Sequence, residues 1–186
     1  MIGFNELKKG IRIIINSQPY EIIEASHLFK GRGQALLQAK IKNLIDNRII
    51  ARTFRPSESF PEAKISEFKA KFLYSHRGRY FFCEIDNPAK RFELNTEQLG
   101  QKINFLKEGQ EVTAQIFKER IINIQLPIKI QLKVTSAPPG IKGNRSQSPT
   151  KVVVLETGFK INTPLFIKEG DVIEVNTETG EYVKRI

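Results

Sequence analysis

The sequence predicts an all-β protein, and three observations support this class. Short runs rich in β-branched and aromatic residues recur along the whole chain, and turn-forming residues separate them. One stretch near the middle carries apolar residues at helical spacing, which predicts one short helix. The chain has 186 residues, of which 40% are hydrophobic, so it is long enough to bury real cores.

The first segment is predicted to form a small barrel or sandwich that ends near residue 63. Strands are expected over residues 11–15, 20–25, 35–41 and 49–54, before a Pro- and Ser-containing break at 56–61. Between the second and third strands lies Lys30-Gly31-Arg32-Gly33. Two glycines permit the positive φ angles of a tight hairpin, so we expect Arg32 at its tip, projecting into solvent.

The second segment, residues 64–127, repeats the strand pattern around the one predicted helix. Strands are expected over 67–74, 79–85, 91–94, 112–117 and 121–125. Asn95 with Gln98 three residues later predicts a helix start, and Leu99, Ile103 and Leu106 continue it toward Gly109. Pro127 marks the end of this segment.

The third segment, residues 128–186, is predicted to be a five-stranded barrel. Short runs at 128–134, 152–155, 165–167, 172–175 and 182–184 alternate with glycines and turn residues at regular spacing. Residues 137–149 are rich in Pro, Gly and Ser, which predicts one long loop.

The charge of the chain favours a polyanionic partner. The formal net charge is +10, and the three segments carry +4, +3 and +3 of it, so positive charge is spread along the whole length. A nucleic acid or an acidic membrane face would suit this pattern, although a basic protein without such a partner would also show it. No apolar run approaches the roughly 20 residues that span a bilayer, and the single cysteine fits a reducing cytoplasm.

The sequence offers little for catalysis, so we expect no enzyme. His27 and His76 are the only histidines, and neither lies in a recognisable motif. Cys83 is expected to be a core thiol, and no phosphate-binding loop or metal motif is present. His76-Arg77-Gly78-Arg79 is a second basic turn, either simply solvated or contacting RNA. The aromatic residues around it could stack bases, but core packing is the favoured interpretation for them.

Three stretches of the chain resemble elongation factor P. They are Gly10 to Ala35 with its glycine-flanked tip, Asp46 to Arg55, and the C-terminal run from Lys151 to Val183 that contains Pro164-Leu165-Phe166-Ile167 and Gly170-Asp171-Val172-Ile173. The resemblance implies a KOW/SH3-like first domain and two OB-like domains in an L-shaped, tRNA-like arrangement. It also implies binding to the 70S ribosome between the P and E sites, where the family relieves polyproline stalls.

The resemblance further implies that Arg32 contacts the P-site tRNA near its CCA end. The tip loop would comprise Lys30, Gly31, Gly33 and Gln34, and further RNA contacts are expected from Arg77, Arg79, Lys142, Asn144 and Arg145. In the family, arginine at the tip goes with rhamnosylation, which predicts an Arg32-modifying glycosyltransferase. No other cofactor, no membrane contact and a cytoplasmic monomer are expected.

Alternatives remain at this level. Gly31, Gly33 and Gln34 follow the lysine-type loop of the family, so an unmodified arginine or an elongation factor P-like paralogue is open. A generic OB-type RNA-binding protein is the chief rival. The two-domain relative, translation initiation factor five-A, fits less well because this chain carries a third segment.

Overall fold

The computed structural model describes residues 1–28, 35–139 and 150–186, and strands dominate them. The predicted all-β class is confirmed. The chain separates into two compact units, each with its own internal contacts. The first holds Met1–Lys69, Leu94–Gly100 and Thr113–Ile124, and the second holds Ala70–Glu93, Gln101–Val112 and Gln125–Ile186.

The first sheet is antiparallel and has the order β2-β3-β4-β5. Its strands are β2 Arg12–Ile15, β3 Gln18–Leu28, β4 Leu36–Asn43 and β5 Ile49–Phe54, and the two-residue strands β1 Ile2–Gly3 and β6 Ser59–Phe60 pair beside it. Asn16 and Ser17 turn β2 into β3 with φ of 49° and 66°, the twist that suits a two-residue hairpin. The core includes Ile13, Ile22, Ile41 and Phe54, all fully buried.

The middle sheet has the order β11-β10-β7-β8-β9. Its strands are β7 Ser66–His76, β8 Arg79–Glu84, β9 Arg91–Asn95, β10 Glu111–Phe117 and β11 Arg120–Gln125. The pairing of β7 with β8 shifts between Phe72 and Tyr74, so Leu73 is an extra residue in β7. A bulge of this kind reverses which face the following side chains occupy.

The predicted helix begins as expected and ends earlier. Asn95 Oδ1 accepts from the Gln98 amide at 2.9 Å, and Gln98 Oε1 accepts from the Asn95 amide at 3.1 Å, which is the predicted capping box. Helix α1 covers Thr96–Leu99 only, and Gly100–Phe105 follows as a 3-10 helix. The predicted continuation of the α-helix through Ile103 and Leu106 was wrong, because Gly100 has φ of +55°, which breaks the α-helical hydrogen-bond ladder.

The third sheet has five strands in the order β14-β13-β12-β15-β16, as the predicted five-stranded segment requires. They are β12 Lys129–Ser136, β13 Thr150–Leu155, β14 Lys160–Pro164, β15 Val172–Asn176 and β16 Tyr182–Arg185. The strand predicted at residues 165–167 was wrong. The strand in this region is β14, which ends at Pro164, and residues 165 and 166 form a turn after it. Pro164 has no amide hydrogen to continue the ladder, and the Ile167 amide donates to its carbonyl at 3.2 Å.

Candidate functional site

A long two-stranded arm is the feature that would present the predicted tip. Strands β3 and β4 pair from Tyr20 with Asn43 to Leu28 with Leu36. From Glu24 to Leu28 every side chain of β3 is exposed, whereas β4 still buries Leu37 and Ala39. A register shift between Ile22 and Glu24 adds a bulge at the base of the arm, and bulges re-aim the strand that carries them. Strand β4 thus remains part of the four-stranded sheet up to Leu37, which pairs with Phe54 of β5, while the outer half of β3 faces solvent.

The predicted tip residues Lys30, Gly31, Arg32, Gly33 and Gln34 lie outside the described residues. The last described pair of the arm is Leu28 with Leu36, and residues 29–35 join these two positions in sequence. Arg32 stands midway between them in the chain. Its predicted contact with tRNA stays a prediction.

The Arg52–Glu58 ion pair, which we call the arginine clip, lies near the outer end of the described β3–β4 pairing. The Arg52 guanidinium carbon lies 5.0 Å from the Phe54 ring centroid and 5.1 Å from that of Phe60, and Phe54 pairs across the sheet with Leu37 of the arm. Arg52 Nη2 donates to Glu58 Oε1 at 3.0 Å, and the Arg55 amide donates to Glu58 Oε2 at 2.7 Å. The Arg55 amide, joined by the Arg52 charge, lowers the pKa of the Glu58 carboxyl below its usual value. Burial opposes this shift and does not reverse it.

The second basic turn is present and joins β7 to β8. Arg77 and Gly78 have φ of 49° and 75°, the conformation of a two-residue hairpin turn that favours Asn or Gly at its first position. Arg79 Nη1 lies 3.2 Å from Glu93 Oε1, and both side chains are largely exposed. Arg77 and Arg79 are thus placed where RNA could reach them, and the contact itself stays a prediction.

One aromatic residue beside this turn was assigned to the wrong environment. Phe72 and Phe82 are buried and pack at 5.3 Å between centroids, as core packing requires. Tyr74, by contrast, is 44% exposed and stacks on Phe81 with centroids 4.8 Å apart and planes at 23°. The signal that could have located it is the bulge at Leu73, which a count of alternating residues does not reveal.

The loop of the third segment falls largely outside the described residues. Lys142, Asn144 and Arg145 belong to residues 140–149, and their predicted RNA contacts stay predictions. At the base of this loop the Lys151 ammonium donates to the Pro138 carbonyl at 2.9 Å, which ties β13 to the end of β12.

The described residues offer no arrangement typical of a catalytic or metal site. His27 and His76 are exposed and far apart in sequence, and Cys83 is a buried free thiol as predicted. Across residues 1–28, 35–139 and 150–186, no group of three or more His, Cys, Asp or Glu side chains could hold a metal ion. In the same residues no helix is long and apolar enough to cross a membrane.

Three family models match the chain in order along its length. They are "Elongation factor P (EF-P) KOW-like domain" over residues 4–60, "Elongation factor P (EF-P) OB domain" over 65–124 and "Elongation factor P, C-terminal" over 130–185. A KOW-like domain followed by OB domains, carried on an all-β chain, defines the class of protein as a translation factor.

Curated relatives are similar over the full chain. Elongation factor P of Carboxydothermus hydrogenoformans is 34% identical over 186 residues, covering 100% of both chains. Elongation factor P of Metamycoplasma arthritidis is 40% identical over 185 residues, again covering 100% of both. The chain belongs to the elongation factor P family, and it is therefore a translation elongation factor.

A solved structure described as eukaryotic translation initiation factor 5A from Methanococcus jannaschii is also similar. It matches with a TM-score of 0.49 and 18% identity, covering 66% of this chain and 92% of that chain. The family assignment does not depend on this likeness.

Proposed function

We propose that this chain binds the ribosome between the P and E sites and positions the P-site peptidyl-tRNA through Arg32. By doing so it stimulates peptide-bond formation and relieves ribosomes stalled at consecutive prolines. The observation that carries the proposal is the β3–β4 arm, which remains paired to Leu28 and Leu36 and exposes the outer half of β3. Family membership supports the same role.

Arg32 would act through position and charge. A guanidinium stays protonated at all physiological pH values, and its planar fork donates several hydrogen bonds to phosphate oxygens. Holding the CCA end of a tRNA near its reactive geometry lowers the entropic part of the barrier to peptide transfer. In this proposal the chain supplies no reacting group and needs no cofactor, so it is not an enzyme.

The partners follow from this role. The chain would contact ribosomal RNA of the 70S particle and the P-site tRNA as a monomer, with domains at residues 1–63, 64–127 and 128–186. A glycosyltransferase would rhamnosylate Arg32. Additional RNA contacts would come from basic and polar residues of two loops, namely Arg77, Arg79, Lys142, Asn144 and Arg145.

Complementation with a diprolyl reporter tests the central role. In a strain lacking its own elongation factor P, the parent chain should restore the reporter, whereas Arg32→Ala should not. The sequence predicts Arg32 outside any core, so the variant should unfold like the parent. Arg48→Ala is the matched control, because the Arg48 side chain is 82% exposed in the same segment. Full rescue by Arg32→Ala would contradict the proposal.

A separate experiment tests the proposed rhamnosylation of Arg32. Intact mass and peptide mapping of the protein from its native host should show a deoxyhexose on the peptide that contains Arg32. An unmodified Arg32 in growing cells would refute rhamnosylation and would leave the positioning role to the complementation experiment.

A further inference from the structure

The outer face of the β7–β8 hairpin carries an aromatic pair that the core does not use. Tyr74 and Phe81 are cross-strand partners, and their rings stack at 4.8 Å. Tyr74 is 44% exposed, and Phe81 is partly exposed. Because the bulge at Leu73 reverses the faces, this pair lies opposite the buried pair Phe72 and Phe82.

Basic residues neighbour this aromatic pair along the strands and in an adjoining cleft. His76 and Arg79, two residues further toward the turn, are the next cross-strand pair on the same face, by the two-residue repeat of strands. An open cleft of about 440 Å³ adjoins Tyr74 and is lined in part by Lys71 and Arg91. The carboxylates nearby are Glu108, which also lines the cleft, and Glu93, which pairs with Arg79. With Arg77 at the turn, the four cations Lys71, Arg77, Arg79 and Arg91 outnumber these two acids.

The position of the face within its domain favours nucleic acid as the ligand. Strands β7, β8 and β9 are the first three strands of the segment that matches the OB domain model. OB domains bind oligonucleotides on the face of their second and third strands and on the loop between the first and second. Arg77 and Gly78 form that loop, and Phe81 and Arg91 belong to those strands.

We propose that this face binds single-stranded RNA by stacking an unpaired base on Tyr74, while Lys71, Arg77 and Arg91 bind the flanking phosphates. Tyr74 and Phe81 together provide a stacked platform on which the Tyr74 ring is accessible. Stacking on an aromatic ring tolerates any base, so the site selects unpaired RNA and not a sequence. The proposal is independent of Arg32, which lies between β3 and β4 in the sequence and has a different proposed role.

The first test compares binding to RNA with and without bases. Fluorescence anisotropy would follow the full-length protein on a labelled oligouridylate of about 12 nucleotides, a length within the usual range for one OB domain. The reference probe is a ribose-phosphate oligomer of the same length that lacks bases. The oligouridylate should bind at least about fivefold more tightly, the lower bound for one stacked base.

Variants at Tyr74 separate the contribution of its aromatic ring to RNA binding from that of the basic residues. Tyr74→Leu should weaken oligouridylate binding about five- to a hundredfold and leave binding of the base-free probe unchanged. Tyr74→Phe is the matched control and should keep the parent affinity, because it retains the ring. Arg32→Ala should also keep it, which separates this site from the proposed tip function. Circular dichroism would verify that each variant folds.

A direct readout uses the absence of tryptophan from the sequence. Tyr74→Trp gives a chain with one fluorophore on the platform, and oligouridylate should quench it in a saturable way. Tyr182→Trp, on β16 of the third sheet, is the reference and should show little quenching. Equal affinity of parent and Tyr74→Leu, equal binding of the base-free probe, or equal quenching at both positions would overturn the proposal.

Discussion

The clip between Arg52 and Glu58 allows a sharp test of how the arm is supported. We predict that Glu58→Gln destabilises the first barrel, because it removes the charge that Arg52 Nη2 meets at 3.0 Å. The neutral amide oxygen still accepts from the Arg55 amide, so the substitution removes the ion pair and keeps most of the local geometry. The loss should spread to the arm, since Phe54 beneath Arg52 pairs with Leu37.

The expected loss of unfolding free energy follows from the exposure of the Arg52 and Glu58 side chains. A hydrogen bond to a charged group contributes roughly 1.5–3 kcal/mol, and solvent reduces this where the partners are accessible. The Arg52 and Glu58 side chains are 30% and 31% exposed, which places the pair between a surface and a buried ion pair. We therefore expect Glu58→Gln to lower the free energy of unfolding by about 1 kcal/mol. Glu58→Ala should lower it by about 2 kcal/mol, because the Arg55 amide then also loses its acceptor.

The same pair predicts a pH dependence. The folded protein lowers the pKa of Glu58 below the ordinary value of a glutamate carboxyl, which holds in the unfolded chain. The ionised carboxylate therefore stabilises the fold fully above the unfolded pKa, and this contribution disappears as the pH falls through the lower folded pKa. The difference in stability between the parent and Glu58→Gln should be constant near neutral pH and should shrink on acidification.

Chemical denaturation at several pH values measures these differences, and hydrogen exchange of the peptides that contain β4 and β5 locates them. Glu24→Gln is the control, because Glu24 and Lys40 form an ion pair at 2.8 Å with side chains 64% and 55% exposed. That substitution should change stability by no more than about 0.5 kcal/mol. If Glu58→Gln matches this control, or if its effect is the same at acidic and neutral pH, the reasoning about the clip is refuted.

Three further substitutions test individual contacts by the same denaturation assay. Asn123→Ala should cost about 2–3 kcal/mol, since the Asn123 amide is 1% exposed and donates to the Leu44 carbonyl at 3.1 Å; a loss below about 1 kcal/mol would contradict this. Thr157→Val should cost about 1 kcal/mol by removing the 2.7 Å hydrogen bond to the Asn104 carbonyl, whereas Thr157→Ser should be nearly neutral. Gly78→Ala should cost about 1 kcal/mol because of its φ of 75°, and Gly78→Asn, which accepts that conformation, should cost less.

The sequence predicted most strands because their patterns are local. The strand at residues 49–54 was predicted with its observed bounds, since Ile, Thr and Phe fill it and turn residues flank it. Strand β14 was missed because Lys160–Pro164 buries only Ile161 and Thr163 among polar neighbours, which is a weak hydrophobic signal. Helix α1 was predicted from its cap, but its end depends on the φ of Gly100, and composition does not encode that angle.

The candidate site likewise combines features that the sequence predicts with features that it does not. Glycines and an arginine at a turn are local signals, so the basic turn at Arg77 and Gly78 could be predicted from the chain alone, whereas the turn at residues 30–33 stays a prediction. The clip of Arg52 with Glu58 could not, because it depends on Phe54 and Phe60 packing edge to face in the folded protein, with ring centroids 5.3 Å apart. Tertiary packing decides which charged side chains form ion pairs, and local sequence patterns do not reveal that packing.

The bulge at Leu73 explains why the aromatic platform escaped prediction and why it exists. Counting by twos from Phe68 through Ala70 and Phe72 assigns Tyr74 to the core face, and the first three are indeed at least partly buried. One extra residue then transfers Tyr74 to the outer face and gives its place on the inner side to Ser75, opposite Tyr80. The hairpin thereby keeps a buried pair, Phe72 and Phe82, for stability. It also gains an accessible ring beside a basic turn, which a strand of regular alternation would have buried.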